Sequence, residues 1–125
     1  MKKVVGLVEL IKIIGQESVQ VFAVFDTGAR STSVDIKLAS EAKLGPVLGT
    51  AKVRNPSVKK RTRRPVVKAE IEIKGIKFDT EVNLQDRSHM SFPIIIGRNI
   101  LKGNFIVDAE MNEELFKKKR KKHTS

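Results

Sequence analysis

The chain contains no cysteine, tryptophan or tyrosine, and only two of its 125 residues are histidine. Without cysteine there can be no disulfide, no thiolate nucleophile and no Cys-based zinc site. Two histidines, His89 and His123, are too few for an imidazole metal cage, and we expect no metal and no cofactor. No stretch approaches the roughly 18 apolar residues of a membrane span, and Glu9 interrupts the apolar run of a signal peptide. These absences predict a one-domain cytoplasmic protein with no membrane contact.

The net charge of +11 is concentrated in two segments. Residues 52–68 contain eight basic residues and no acidic one, and residues 117–122 add six more basic residues. The remainder has eleven basic against fourteen acidic residues, a formal charge of −3. Charge placed in this way predicts an acidic partner, which could be a nucleic acid, an anionic surface or a carboxylate-rich substrate.

Alternation of apolar and polar residues with a period of two dominates the chain and predicts β-strands. The predicted strands are 4–14, 19–25, 66–73, 76–84, 94–96 and 104–107. The strand 19–25 is apolar on both faces and should be central. The strands 66–73 and 76–84 should form a hairpin with Lys74-Gly75 as its turn. Predicted helices are few and short: 36–44 capped by Asp35, 98–102, and 110–116. The pattern favours a mainly β domain, either a small barrel or a folded-over sheet.

Two segments carry recognisable chemistry. A buried strand delivers Asp26 into the turn Asp26-Thr27-Gly28-Ala29, although Asp and Gly are also common turn formers in any strand ending. Some seventy positions later, the aliphatic run 92–96 leads into Gly97-Arg98 and a short helical pattern. Together these motifs resemble those of the retropepsin-like aspartic peptidases, over residues 19–107. Since the chain holds only one such motif, the resemblance implies a homodimer with its active site on the two-fold axis.

Four further segments, 6–9, 26–33, 64–66 and 84–90, resemble a prokaryotic branch of these peptidases that is named for ATP-dependent zinc proteases. Part of that branch is associated with a ligase that adds glutamate tails to a ribosomal protein, which implies glutamate-rich tails as the substrate. The chain has no Gly-x-x-x-x-Gly-Lys-[Ser/Thr] loop for ATP. It also lacks the His-Glu-x-x-His pair of zinc hydrolases. We therefore expect neither ATP nor zinc to be used.

The resemblance implies a mainly β, small closed retropepsin-like barrel with one or two short helices over residues 1–110, followed by a basic tail, 111–125. Asp26 and its symmetry mate would share one proton and act as general base and general acid on a bound water. Thr27 would join a hydroxyl network beneath this pair. Gly28 would let the backbone approach the substrate, and Ala29 would leave the cleft uncrowded.

Basic residues are expected around that cleft. Viral retropepsins usually place an acid where this chain has Arg30, so Arg30 either lines the cleft and binds substrate carboxylates or forms an ion pair inside the dimer. The hairpin flap would be residues 50–66, with its tip near 55–57, and would bring Arg54 and Arg64 over the substrate. Asp86 is the candidate partner for Arg98, which supports the site together with Gly97.

Two functions remain open at this point. The favoured one is a homodimeric aspartic endopeptidase acting on an acidic peptide or protein. The alternative is a catalytically silent domain that binds RNA or the ribosome through residues 52–68 and 117–122, because phosphate contacts need lysine and arginine but no catalysis. The absence of Tyr and Trp, which would stack on bases, argues against sequence-specific reading of RNA.

Overall fold

The computed structural model describes residues 1–55 and 60–117, and gives the backbone alone for 54, 55, 60 and 61. The strands within this part of the chain are β1 (Lys3–Val5), β2 (Val8–Ile14), β3 (Ser18–Phe25), β4 (Ser33–Asp35), β5 (Val47–Asn55), β6 (Lys60–Ile73), β7 (Ile76–Gln85), β8 (Ile94–Ile96) and β9 (Phe105–Val107). The helices are α1 (Ile36–Glu41), α2 (Arg98–Leu101) and one further turn of helix, α3, at residues 113–117. None of these helices is long and apolar enough to cross a membrane.

Six strands close into a barrel in the order β2-β3-β8-β4-β7-β6. The barrel closes because β2 pairs a second time, with β6, so that Ile13 lies opposite Ile71. Closure leaves no free edge among the six strands. The mainly β fold with a small closed barrel that was expected from the sequence is confirmed, with three short helices in the described residues where one or two were expected.

The interior of the barrel is aliphatic. Isoleucines and valines from all parts of the chain are fully buried there, among them Ile13, Ile71, Ile73, Ile94, Ile96, Val34, Val67 and Val82. Phe25 and Phe105 are also buried, and their rings meet edge to face with centroids 6.4 Å apart. Each buried branched side chain contributes about 1.5–3 kcal/mol relative to an exposed one, so this set of side chains holds the barrel together.

The predicted hairpin of 66–73 and 76–84 is confirmed, since β6 and β7 pair in register across Lys74-Gly75. Both turn residues have positive φ, 53° at Lys74 and 79° at Gly75, as a tight two-residue hairpin requires. The first half of β6 also pairs with β5 from Val47 onwards, so residues 47–73 include a second antiparallel hairpin. The predicted tip of the flap falls largely on residues 56–59, outside the described part of the chain.

Among the predicted elements that differ from the structure, three show a clear physical reason. The predicted strand 4–14 is two strands, because the chain bends where the Gly6 N–H donates to Glu9 Oε2 at 2.8 Å. The helix predicted to reach Leu44 ends at Glu41, since Lys43 adopts a left-handed φ of 53°. The helix predicted over 110–116 begins only at residue 113, after a turn in which the Glu110 N–H donates to Asp108 Oδ1.

The N- and C-terminal strands form a separate small sheet, in which β1 and β9 run parallel. Val5 and Phe105 face the core, whereas Val4 and Ile106 lie side by side on the outer face and are 46% and 54% exposed. Residues 111–117 then return along the barrel, and Phe116 stacks on Phe92 with ring centroids 6.1 Å apart. Of the predicted basic tail, 111–125, residues 118–125 lie outside the described part of the chain.

Candidate active site

Asp26 lies at the end of β3, where that strand pairs in parallel with β8. Its N–H donates to the carbonyl of Ile96 at 2.9 Å, so the end of the neighbouring strand fixes the residue's backbone. Its carboxylate accepts from the Gly28 N–H at 2.8 Å, and its carbonyl accepts from the Ala29 N–H at 3.2 Å. This Asx-type turn presents a half-buried carboxylate whose second oxygen, Oδ2, has no hydrogen bond within the described residues.

Gly28 must be small for a reason that is visible in the turn. A Cβ at this position would lie 3.1 Å from Asp26 Oδ1, which is tighter than most contacts of real Cβ atoms. The side chain would therefore push against the same oxygen that the Gly28 N–H holds. The Gly28 backbone thus approaches the Asp26 carboxylate closely, and its expected approach to a substrate stays a prediction.

A second loop locks this turn in place from below. The N–H groups at the start of α2 donate to the turn, from Arg98 to the Ala29 carbonyl at 2.8 Å and from Asn99 to the Arg30 carbonyl at 3.2 Å. Gly97 packs so closely against this backbone that a Cβ would overlap the carbonyl of Ser31. The position of Gly97 is thus set by the loop that follows Asp26.

The fully buried Thr32 joins the two loops through its hydroxyl. It accepts from the Gly97 N–H at 3.2 Å and donates to Asn99 Oδ1 at 2.8 Å. Because one hydroxyl bonds to both Gly97 and Asn99, it fixes the start of α2 relative to the loop that follows Asp26.

Arg98 has a different partner from the one predicted. Its Nη1 donates to the carbonyl of Thr27 at 3.0 Å. Asp86 instead accepts from the backbone and hydroxyl of Ser88, at 3.0 and 2.6 Å, in an exposed loop. These two hydrogen bonds lower the pKa of the Asp86 carboxyl, the bond from the side chain having the larger effect. The expected contact between Asp86 and Arg98 is therefore corrected: Arg98 supports the turn directly through Thr27.

A cleft of about 560 Å³ opens beside Asp26. The turn at Asp26 contributes Asp26 and residues 28–31 to its wall, and the β5–β6 hairpin contributes Lys52 and Arg64. Arg87, Gln85 and Ser33 complete the polar lining, with Val53 and Ile95 as apolar contacts. Four cationic residues and one acidic residue thus line this cleft.

The structure brings five of the predicted site residues to this cleft: Asp26, Gly28, Ala29, Arg30 and Arg64. Thr27 is exposed beside it, and Gly97 and Arg98 support it from beneath. Asp86 lies in the exposed loop just described. The side chain of Arg54 lies outside the described part. The roles assigned to all of these residues remain predictions.

Sequence reasoning missed a buried polar network behind the cleft. Asn83 donates from Nδ2 to Ser31 Oγ at 3.0 Å and to the Thr32 carbonyl at 3.2 Å. Its Oδ1 accepts from the Ser33 hydroxyl at 2.8 Å and from Arg64 Nη1 at 3.2 Å. A polar residue between the apolar Val82 and Leu84 looks solvent-facing in a simple alternation, so only the pairing of β7 with β4 reveals its burial.

Arg87 is the other residue that sequence reasoning left without a role, and it is only 8% exposed. Its Nε donates to the Phe92 carbonyl at 3.0 Å and its Nη1 to Gln85 Oε1 at 3.4 Å. Burial lowers the pKa of Arg87, and the charge of Arg64 lowers it further, against smaller opposing effects of Asp35 and Asp26. Burial also lowers the pKa of Arg64. Arg64 and Arg87 are therefore two partly desolvated cations that line the same cleft.

Comparison with known proteins agrees with this geometry. The family described as "RimB-like: Retropepsin-like aspartic endopeptidase RimB" matches residues 15–118. The fold is similar to that of a Legionella pneumophila protein of unknown function, with 19% identity, a TM-score of 0.63, and coverage of 89% of this chain and 96% of that one. A comparison with curated proteins found no match.

Viral proteases share the fold as well. EIAV protease in complex with the inhibitor HBY-793 matches with 19% identity and a TM-score of 0.64, over 81% of this chain and 91% of that one. The Simian Foamy Virus (mac) protease matches with 16% identity and a TM-score of 0.54, over 75% and 90% respectively. At such identities these structures establish the fold alone.

Proposed function

This chain belongs to the RimB-like family of retropepsin-like aspartic endopeptidases, and on that premise we propose that it is an active peptidase whose catalytic pair is Asp26 and the same residue of a second copy. The observation that carries the proposal is the turn at Asp26. It presents a carboxylate at the floor of a cleft, held by the Gly28 N–H and braced by the start of α2.

The chain supplies one half of the machinery. Two carboxylates brought within a few ångströms of each other cannot both ionise cheaply, so such a pair shares one proton and titrates as a unit. The ionised member takes a proton from a water held between them, and that water attacks the scissile carbonyl. The protonated member donates to the carbonyl oxygen as charge develops there, and the proton taken from the water passes to the leaving amine.

Two surface features support assembly of two copies. Thr27 is exposed next to Asp26, where a symmetry mate would bring a second Thr27, and its carbonyl is held by Arg98. Val4 and Ile106 form an exposed apolar pair on the terminal sheet, and a second copy would remove that surface from water. Closed two-fold symmetry is the commonest arrangement of soluble homo-oligomers.

The substrate that we propose is an acidic peptide, such as the glutamate-rich tail of a ribosomal protein. Arg30, Lys52 and Arg64 line the cleft, and no salt bridge to a carboxylate occupies any of them within the described residues. The β5–β6 hairpin would serve as the flap, bringing Lys52 and Arg64 over the bound chain. Cations placed there favour carboxylate side chains through charge-assisted hydrogen bonds.

Hydrolysis of oligo-glutamate and of a generic peptide library tests the proposal, with Asp26→Asn as the control. We expect the parent to cleave the acidic peptide and the variant to lose that activity, because an amide can neither share the proton nor take one from water. If Asp26→Asn cleaves as fast as the parent, the catalytic role is wrong. If neither protein cleaves any peptide but both bind RNA or ribosomes, the chain is instead a silent anion-binding domain.

A further inference from the structure

Arg64 and Arg87 approach the cleft from different elements, yet each is held in place by neutral acceptors. Arg64 donates to Asn83 Oδ1 and, at 3.5 Å, to Ser33 Oγ. Arg87 donates to the carbonyl of Phe92 and to Gln85 Oε1. These partners fix where each guanidinium lies but remove none of its charge.

The nearby carboxylate of Asp35 does not neutralise Arg87. Its two oxygens accept backbone N–H groups, Oδ1 from Arg87 itself at 2.8 Å and Oδ2 from Lys37 at 3.2 Å. No salt bridge joins Arg64 or Arg87 to a carboxylate in residues 1–55 and 60–117. Burying a cation without an ion pair is costly; Arg87 is almost fully buried, and the half-buried Arg64 lies in the wall of the same cleft.

Both side chains keep donors for a ligand. The described hydrogen bonds of Arg87 use Nε and Nη1, and those of Arg64 use Nη1 alone. No buried side-chain nitrogen or oxygen in the described residues lacks a partner, so the remaining N–H groups face accessible space. Because both residues line the same cleft as Asp26, an anion there would lie close to the reacting peptide bond.

We infer that Arg87 and Arg64 together form a carboxylate-binding subsite that reads one acidic side chain of the substrate, and that Arg87 is its specificity-determining residue. The inference rests on the proposed peptidase function and adds to it a subsite with named donors. A guanidinium fork matches the two oxygens of a carboxylate. Asn83 holds the guanidinium of Arg64, and Phe92 and Gln85 hold that of Arg87, so both groups are positioned before the substrate binds.

The test separates binding from cleavage by using the Asp26→Asn background. Fluorescently labelled oligo-glutamate and a length-matched oligo-glutamine peptide are titrated with this protein and with its Arg87→Gln derivative. We expect Arg87→Gln to weaken binding of oligo-glutamate about tenfold or more, as loss of a charge-assisted hydrogen bond implies, and to leave binding of oligo-glutamine unchanged. Arg87→Lys should recover only part of the loss, because a lysine keeps the charge without the fork.

Arg63→Gln is the matched control. Arg63 precedes Arg64 on β6, is exposed, and donates to Thr50 Oγ1 rather than lining the cleft. Arg63→Gln removes one positive charge, as Arg87→Gln does, but from outside the cleft, so it should change oligo-glutamate binding much less. Equal weakening by Arg63→Gln and Arg87→Gln would reduce the effect to overall charge and overturn the inference. The inference would also be overturned if Arg87→Gln weakened binding of oligo-glutamate and oligo-glutamine equally. It would be overturned too if Arg87→Gln changed only the binding of oligo-uridylate added as a competitor.

If Arg87→Gln fails to fold, Arg64→Gln still tests the subsite, because Arg64 supplies the other donor and is less buried than Arg87. In the double variant the two losses should be less than additive, because both residues contact one carboxylate. Full additivity would contradict a shared subsite.

If the parent cleaves nothing while oligo-glutamate binding still depends on Arg87, the peptidase proposal fails and the subsite stands. If binding ignores Arg87 while cleavage persists, the reverse holds.

Discussion

Gly97 packs against the backbone of the loop after Asp26 with no room for a side chain, and Gly97→Ala should disrupt this packing. The added Cβ would overlap the carbonyl oxygen of Ser31, lie 2.6 Å from its carbonyl carbon, and lie 3.0 Å from the carbonyl oxygen of Ala29. All three atoms are backbone, so no side-chain rotation can relieve the contact. The loop or α2 must move instead.

The magnitude follows from what that movement breaks. Overpacking of a dense site costs about 1–3 kcal/mol. Separating the loops also weakens the hydrogen bonds from Arg98 and Asn99 to the carbonyls of Ala29 and Arg30, each of which contributes about 1 kcal/mol. We expect a total loss of about 3 kcal/mol, which for a chain of this size corresponds to a fall in Tm of roughly 10 °C.

Thermal unfolding followed by circular dichroism measures this loss, with Gly49→Ala as the control. Gly49 lies in β5, where a Cβ would meet no atom within 4 Å and where its φ is not left-handed. The control should stay within about 0.5 kcal/mol of the parent. Peptide cleavage by Gly97→Ala should fall as well, since the same movement displaces Asp26. If Gly97→Ala and Gly49→Ala have the same Tm, the reasoning from the close contact is refuted.

Two further outcomes are expected. Thr32→Val should lower the free energy of unfolding by about 1–3 kcal/mol, because it leaves the buried Gly97 N–H and the Asn99 side chain without their shared hydroxyl; denaturant unfolding measures this, and a neutral result would contradict it. Ser88→Ala should destabilise the fold at neutral pH only. Its hydrogen bond to Asp86 lowers that carboxyl's pKa from the ordinary 3.8, so the contribution is lost as the pH falls from 3.8 through the lower folded value. If the parent and Ser88→Ala still differ in free energy of unfolding by the same amount at pH values below the folded pKa of Asp86, this cause is wrong.

The sequence predicts local structure well where one physical signal dominates. The β6–β7 hairpin follows from strict alternation around Lys74-Gly75, and every residue of that alternation on the β6 inner face, from Val67 to Ile73, is buried. Element ends were harder to predict because distant contacts set them. The bend at Gly6 depends on Glu9 and on the backbone of Met111, against which a Gly6 Cβ would overlap.

The same distinction applies to the site. Asp26 and Gly28 are found from a short motif because the turn that they make is local. Arg87 could not be assigned, since its burial comes from the carbonyl of Phe92 and from Asp35, which lies 52 residues earlier in the chain. The partner of Arg98 was wrong for a similar reason. A charged side chain suggested a charged partner, whereas the turn offers a backbone carbonyl at Thr27.

The central claim is that two copies of the chain each contribute Asp26 to one active site. The most direct measurement unfolds the parent together with Asp26→Asn, refolds the mixture at constant total concentration, and follows peptide cleavage against the fraction of parent chain. If a catalytic pair must contain two aspartates, activity falls as the square of that fraction, so an equal mixture retains about a quarter of the parent's activity. Activity that falls in simple proportion, leaving about half in the equal mixture, would show that each chain works alone and would contradict the account.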